Sequence, residues 1–180
     1  MITDFDKKGL AAPLIMCYSM ITVMFNKVSI SPIIGIIGTM VVQKTHGFLL
    51  TMAPSAANTT IAHFYDTKTT PADYDAIFTG DLGKLGENIF RDLMANANYP
   101  LDATYSDCGR MIYDHKQNQY QGGSGCGCGA SVLNGYILNK LRKGELKKIL
   151  FIATGALLSP VSSFQGNTIP AIAHAVVIEA

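Results

Sequence analysis

The chain reads as an α/β domain, helices packed on a mixed sheet, and three observations carry that reading. From residue 48 onward, short apolar runs alternate with helical patterns of ten to fifteen residues. Within Lys148–Thr154, Ile149, Leu150, Phe151 and Ile152 are apolar on both faces, as a strand covered by helices on both sides requires. The third is Gly122–Ser131, which packs five glycines and two cysteines into ten residues and runs straight into an apolar helical face. A length of 180 residues suits one domain with a buried core.

Residues 1–47 form an apolar N-terminal segment set apart from the domain at 48–180. Gly9–Phe25 holds seventeen residues without a charge and Val28–Val42 fifteen more, but Pro13, Pro32, Gly35 and Gly38 interrupt them. Buried strands and short helices are therefore expected there in preference to a membrane span. Lys7-Lys8 precedes an apolar run as in a signal peptide, yet no small-residue cleavage site closes it and Asp4 and Asp6 stand before it.

Pro54 is placed to open a helix, because its missing N–H costs nothing in a first turn. Ala57, Ile61, Phe64 and Tyr65 give that helix its apolar face, and Pro71 ends the unit. Tyr74–Asp81 is an apolar run closed by Gly80-Asp81, a buried strand. Leu85, Ile89 and Leu93 mark the next helix, and Thr104–Cys108 a further short strand. Behind the glycine run, Val132, Leu133, Tyr136, Ile137, Lys140 and Leu141 form one helical face that Gly144 stops. The last two strands are Lys148–Thr154 and Ile172–Glu179, joined by a long loop containing Leu157-Leu158-Ser159-Pro160 and Ile169-Pro170.

Fourteen basic against thirteen acidic residues leave no patch dense enough for nucleic acid. A hydrophobic share of 48% against 15% charged is high for a free monomer and implies a buried partner surface, a membrane surface or a missing half of the protein. Cys126 and Cys128 are separated by one glycine and would bridge only with strain, so reduced thiols in a cytosolic compartment are expected. Cys108, Cys126, Cys128, His115 and His174 lack the spacing of a zinc site, and no calcium loop is present, so no metal is expected.

Gly123, Ser124, Gly125, Cys126, Gly127 and Cys128 lie at a helix N-terminus. There, free N–H groups and the positive end of the helix dipole favour an anion. The competing reading is that the glycines only let strand, turn and helix pack closely. A thiol in that position is expected to have a lowered pKa. Asp81 and Asp107 end strands, where α/β sites gather, although capping of the following helix explains either equally well.

Several ordered phrases carry a family resemblance. They are Met52-Ala53-Pro54-Ser55-Ala56-Ala57, Thr79-Gly80-Asp81-Leu82-Gly83, Asp107-Cys108-Gly109, Met111-Ile112-Tyr113-Asp114, Gly122–Ala130, Ala153-Thr154-Gly155-Ala156-Leu157-Leu158-Ser159-Pro160 and Ile172-Ala173-His174-Ala175-Val176. Over residues 48–180 the chain resembles the C-terminal half of the stage V sporulation protein AD family. The resemblance implies a thiolase-like layered fold, of which this chain holds one βαβαβαββ half. It implies a non-enzymatic component of the complex that moves dipicolinic acid, with calcium, into the spore and out at germination. A working thiolase takes a histidine from a Gly-His-Pro turn and a second cysteine from this half. Here that turn reads Gly125-Cys126-Gly127-Cys128, and Ala153 or Thr154 stands at the cysteine position. No cofactor is implied.

The implied ligand is dipicolinate, a flat dianion, free or as its calcium chelate. Its implied contacts are the glycine turn, Arg110 as the cation, and His174. Arg110 also reads as a surface arginine, and His174 as a hydrogen-bonded core residue. The implied partners are other stage V sporulation A membrane proteins and further copies of the chain, at the periphery of the spore inner membrane. An isolated half is expected to self-associate through the face that packs on its twin.

Overall fold

A computed structural model describes residues 29–31, 40–42, 48–156, 165 and 169–180. The rest of the segment 1–47, and the stretch around Leu157-Leu158-Ser159-Pro160, lie outside the described residues.

Among these, six strands form one sheet: β1 (Ser29–Ser31), β2 (Met40–Val42), β3 (Ala76–Thr79), β4 (Tyr105–Asp107), β5 (Lys148–Ala156) and β6 (Ile169–Glu179). The order is β1-β6-β5-β3-β4, with β2 also paired to β6. β3 runs parallel to both β4 and β5, whereas β6 is antiparallel to β5 from Lys148–Glu179 to Ala156–Ala171. The sheet is mixed, and β5 at its centre is the strand apolar on both faces.

Alternation along the strands divides the interior into two cores. On one face Ile77, Tyr105, Leu150, Ile152, Ala173, Ala175 and Val177 meet helices α1 (Phe48–Thr67) and α2 (Gly83–Asn96). On the other, Ala76, Phe78, Ile149, Phe151 and Ile178 meet a helical run that starts as α4 (Cys128–Val132), passes through a π turn (Leu133–Ile137), and ends as α5 (Leu138–Arg142). A short helix α3 (Cys108–Met111) leads from β4 toward the glycine turn.

Each main helix differs from its sequence pattern in one respect. α1 begins at Phe48, so Pro54 lies inside it and forgoes an interior hydrogen bond. Ala57 and Phe64 are buried as expected, but Tyr65 is 77% exposed. In α2 Gly86, Phe90 and Met94 are buried, the expected Ile89 and Leu93 are half-buried against the same core, and Leu85 is exposed. Phe90 fills more of the core, stacking against Tyr105 at 5.0 Å between ring centroids. In the run after the glycine turn, the π turn inserts one extra residue and rotates everything beyond it. Leu138 therefore takes the buried place that a regular helix would give to Tyr136, and Tyr136 turns outward beneath Lys140.

The core of α1 carries one titratable group. His63 is buried, and its Nε2 hydrogen-bonds the Tyr74 hydroxyl at 2.7 Å, while its Nδ1 has no partner among the described residues. Burial lowers its pKa, Asp66 opposes that shift and Lys148 adds to it. The folded state thus binds fewer protons than the unfolded chain, whose histidines titrate near about 6.5. Stability from neutral His63 is full above that pH and is lost as pH falls below it. Thermal melts between pH 8 and 5.5 should show a falling midpoint, and His63→Gln should flatten that fall. Burial also lowers His174, so a smaller acid sensitivity should remain in the variant.

Candidate functional site

Two carboxylates at the C-terminal ends of the parallel strands build the site. Asp107, with no exposed surface, ends β4 and caps α3. Its Oδ1 accepts from the Thr79 hydroxyl at 2.7 Å and the Leu82 N–H at 2.9 Å; its Oδ2 accepts from the Gly83 N–H at 2.9 Å and the Arg110 N–H at 3.2 Å. It thereby caps the start of α2 as well as α3. Burial raises its pKa against the pull of those donors.

Asp81, just past β3, does something different. Its Oδ2 accepts from the Ser124 hydroxyl at 3.0 Å and the Gly125 N–H at 2.9 Å, and its Oδ1 accepts from the Thr154 hydroxyl at 2.8 Å. The Asp81 N–H in turn donates to the Thr154 hydroxyl at 3.1 Å. Capping accounts for Asp107, whereas Asp81 ties the glycine turn to the ends of β3 and β5.

The turn itself is held by backbone bonds. The Gly123 N–H donates to the Gly109 carbonyl at 2.6 Å and the Cys128 N–H to the Gly125 carbonyl at 3.0 Å. Gly125 takes φ +139°, a conformation that side chains disfavour, in open space. Gly109 is needed for a different reason: a Cβ there would collide with the Gly123 carbonyl oxygen and lie 2.9 Å from Asp107 Oδ2. A Cβ added at Gly129 would lie 3.2 Å from Gly80 Cα, the close helix-to-strand approach of the packing reading. Ser124, Gly125, Cys126 and Gly127 are nevertheless exposed, and the Cys126 and Gly127 N–H groups donate to no described residue. The glycines therefore divide, some serving contact and some leaving donors open to solvent.

Two thiols, Cys128 and Cys108, do not behave as a helix N-terminus alone would have them. Cys128 is buried, and desolvation with the nearby Asp81 and Asp107 pushes its pKa up to about 11, overturning the expected lowering. Cys108 is fully buried and raised further by the same causes. Both are protonated thiols at neutral pH.

The Arg110 backbone runs beside Gly122, and its side chain is engaged by an acidic partner. The Arg110 guanidinium pairs with Glu87 at 2.9 Å, and Glu87 in turn pairs with Arg91 at 3.1 Å. Arg110 lines an open cleft with Glu87, Arg91, Tyr113 and Tyr136, a cleft that includes none of Gly123–Cys128. His174 is half-buried on β6 opposite Ala153. The roles of Glu87 and Thr154 were not legible as site roles in sequence. For Asp81 the strand-closing Gly80-Asp81 pair was the available signal. No group of His, Cys, Asp and Glu side chains suited to a metal occurs among the described residues, and no described helix is long and apolar enough to cross a membrane.

Comparison with known proteins gives two findings. The family model described as stage V sporulation protein AD matches residues 4–179, which takes in most of the N-terminal segment that the motif resemblance leaves out. A protein of Bacillus subtilis (strain 168), Stage V sporulation protein AD, is 47% identical over 128 residues, covering 71% of this chain and 38% of that relative. The matched stretch thus covers well under half the length of that relative.

The crowding at Gly109 sets a mutational contrast. Gly109→Ala should destabilise the chain by about 1–3 kcal/mol, a drop of about 2–4 °C per kcal/mol in melting midpoint. Gly127→Ala, with nothing within 4 Å of the added Cβ, should leave the midpoint within about 2 °C. Thermal denaturation of the two variants beside the parent checks both.

Proposed function

Because the chain belongs to the stage V sporulation protein AD family, we propose that it serves sporulation as a binding component without catalysis of its own. Its ligand is dipicolinate, free or as the calcium chelate, and its setting is the dipicolinate transport complex at the periphery of the spore inner membrane. The partners in this reading are other stage V sporulation A membrane proteins and further copies of the chain. The fold in this reading is thiolase-like.

The observation that carries the reading is the glycine turn. Asp81 anchors Ser124 and Gly125, while the neighbouring N–H groups of Cys126 and Gly127 remain without a described partner at the start of a helical run. Such donors suit a carboxylate. The two buried thiols, Cys108 and Cys128, support a binding role over a nucleophilic one. With its pKa at about 11, Cys128 gives little thiolate near neutral pH, and Cys108 is sealed in the core. Gly125-Cys126-Gly127-Cys128 also supplies no histidine to act as a base.

Calorimetric titration of dipicolinate into the purified chain, with and without calcium, tests this. Saturable binding is expected, and it should be lost in Gly125→Val, where a β-branched residue is forced into a left-handed backbone conformation. Absence of binding by a chain shown to be folded would contradict the ligand assignment. Turnover of acetyl-CoA would instead favour a catalytic thiolase relative.

A further inference from the structure

The glycine turn has almost nothing to hold its apex in place. A Cβ at Gly125 or Gly127 would meet no described atom within 4 Å, whereas one at Gly123 would meet the Ile112 and Tyr113 side chains, so packing supports the shoulder and not the apex. The backbone bonds of Gly123 and Cys128 anchor its two shoulders, and between them the anchors are Ser124 and Gly125 on Asp81. The carboxylate that takes them is only 6% exposed, so its bonds compete little with water. Thr154 fixes that carboxylate by donating to Asp81 Oδ1 while accepting from the Asp81 N–H. This ring leaves the Asp81 side chain little rotational freedom.

We propose that Asp81 is the positioning residue of the glycine turn: its carboxylate latches Ser124 and Gly125 onto the sheet so that the Cys126 and Gly127 N–H groups are held ready for a ligand carboxylate. Thr154 secures the latch from β5. The proposal rests on the reading that the turn is the ligand site. Asp81 is distinct from Asp107, which caps helices and belongs to the core. Asp81 itself touches no ligand in this account; it acts through the turn.

Asp81→Asn keeps the shape but removes the negative charge, and its one remaining oxygen cannot accept from Ser124, Gly125 and Thr154 together. In unliganded protein labelled with nitrogen-15, the Gly125 amide proton should move upfield and exchange at least about tenfold faster in Asp81→Asn, since a charge-assisted bond has been lost. Dipicolinate affinity should fall by about tenfold or more in the same variant. Ser124→Ala, at an exposed residue, should weaken binding by a smaller factor without risk to folding. Thr154→Ser, which keeps the hydroxyl, should restore what Thr154→Val loses. An unchanged Gly125 amide in Asp81→Asn overturns the latch, whether or not the chain binds dipicolinate. A displaced amide with unchanged affinity overturns the positioning role. If the parent chain does not bind dipicolinate, the ligand assignment falls separately and the Gly125 amide still decides the latch.

Discussion

A carboxylate with no exposed surface at the end of β4 is the interaction on which the rest of this structure depends. Taking an ionised carboxylate out of water costs several kcal/mol unless well-placed donors replace its hydration. Asp107 meets that demand with donors from Thr79, Leu82, Gly83 and Arg110. Those donors come from the end of one strand and the starts of two helices, so a single side chain sets the relative placement of β3, β4, α2 and α3. The Thr79 hydroxyl also meets the Tyr105 hydroxyl at 2.9 Å, extending the network across the β3–β4 pair. Gly109 follows from this arrangement, because Asp107 and the Gly123 carbonyl together leave no room for a Cβ.

Asp81 repeats the device one strand over, for a different purpose. Where Asp107 ties elements of the core together, Asp81 reaches out of the sheet to an exposed turn. The site is therefore a loop presented by a rigid scaffold, as is usual at the C-terminal edge of parallel strands. Charge balance in the neighbourhood fits this division. Glu87 is shared by Arg110 and Arg91, so the guanidinium groups brace α2, α3 and β4, with Arg91 also donating to the Tyr105 carbonyl at 2.9 Å and lying over its ring at 4.6 Å.

Much of the fold was legible in the sequence because the strands are short and strongly patterned. Lys148–Thr154 and the run ending in Gly80-Asp81 stand out by apolarity and punctuation alone. The phase of the helices was less legible. One inserted residue in the π turn moves Leu138 inward and Tyr136 outward, and nothing in the periodicity of Val132–Leu141 marks the insertion. Leu85, Ile89 and Leu93 marked α2 correctly, and Ile89 and Leu93 pack against the core, but the most deeply buried line is Gly86, Phe90 and Met94, and Leu85 is exposed. In the site, glycine content located the turn and strand ends located both carboxylates. Which carboxylate caps and which clamps depends on pairs far apart in sequence, such as Asp81 with Ser124 and Thr154. The partner of Arg110 was hidden in the same way, since Glu87 lies 23 residues earlier.

The central claim is that the turn combines anchored and unanchored amides within a few residues. Amide hydrogen exchange of the unmodified chain, read residue by residue by nuclear magnetic resonance, tests it most directly. The account predicts strong protection at Leu82 and Gly83, where the donors meet buried Asp107, intermediate protection at Gly125, and near-free exchange at Cys126 and Gly127. Uniformly fast exchange from Gly123 through Gly127 would contradict it, because the turn would then be an unlatched loop.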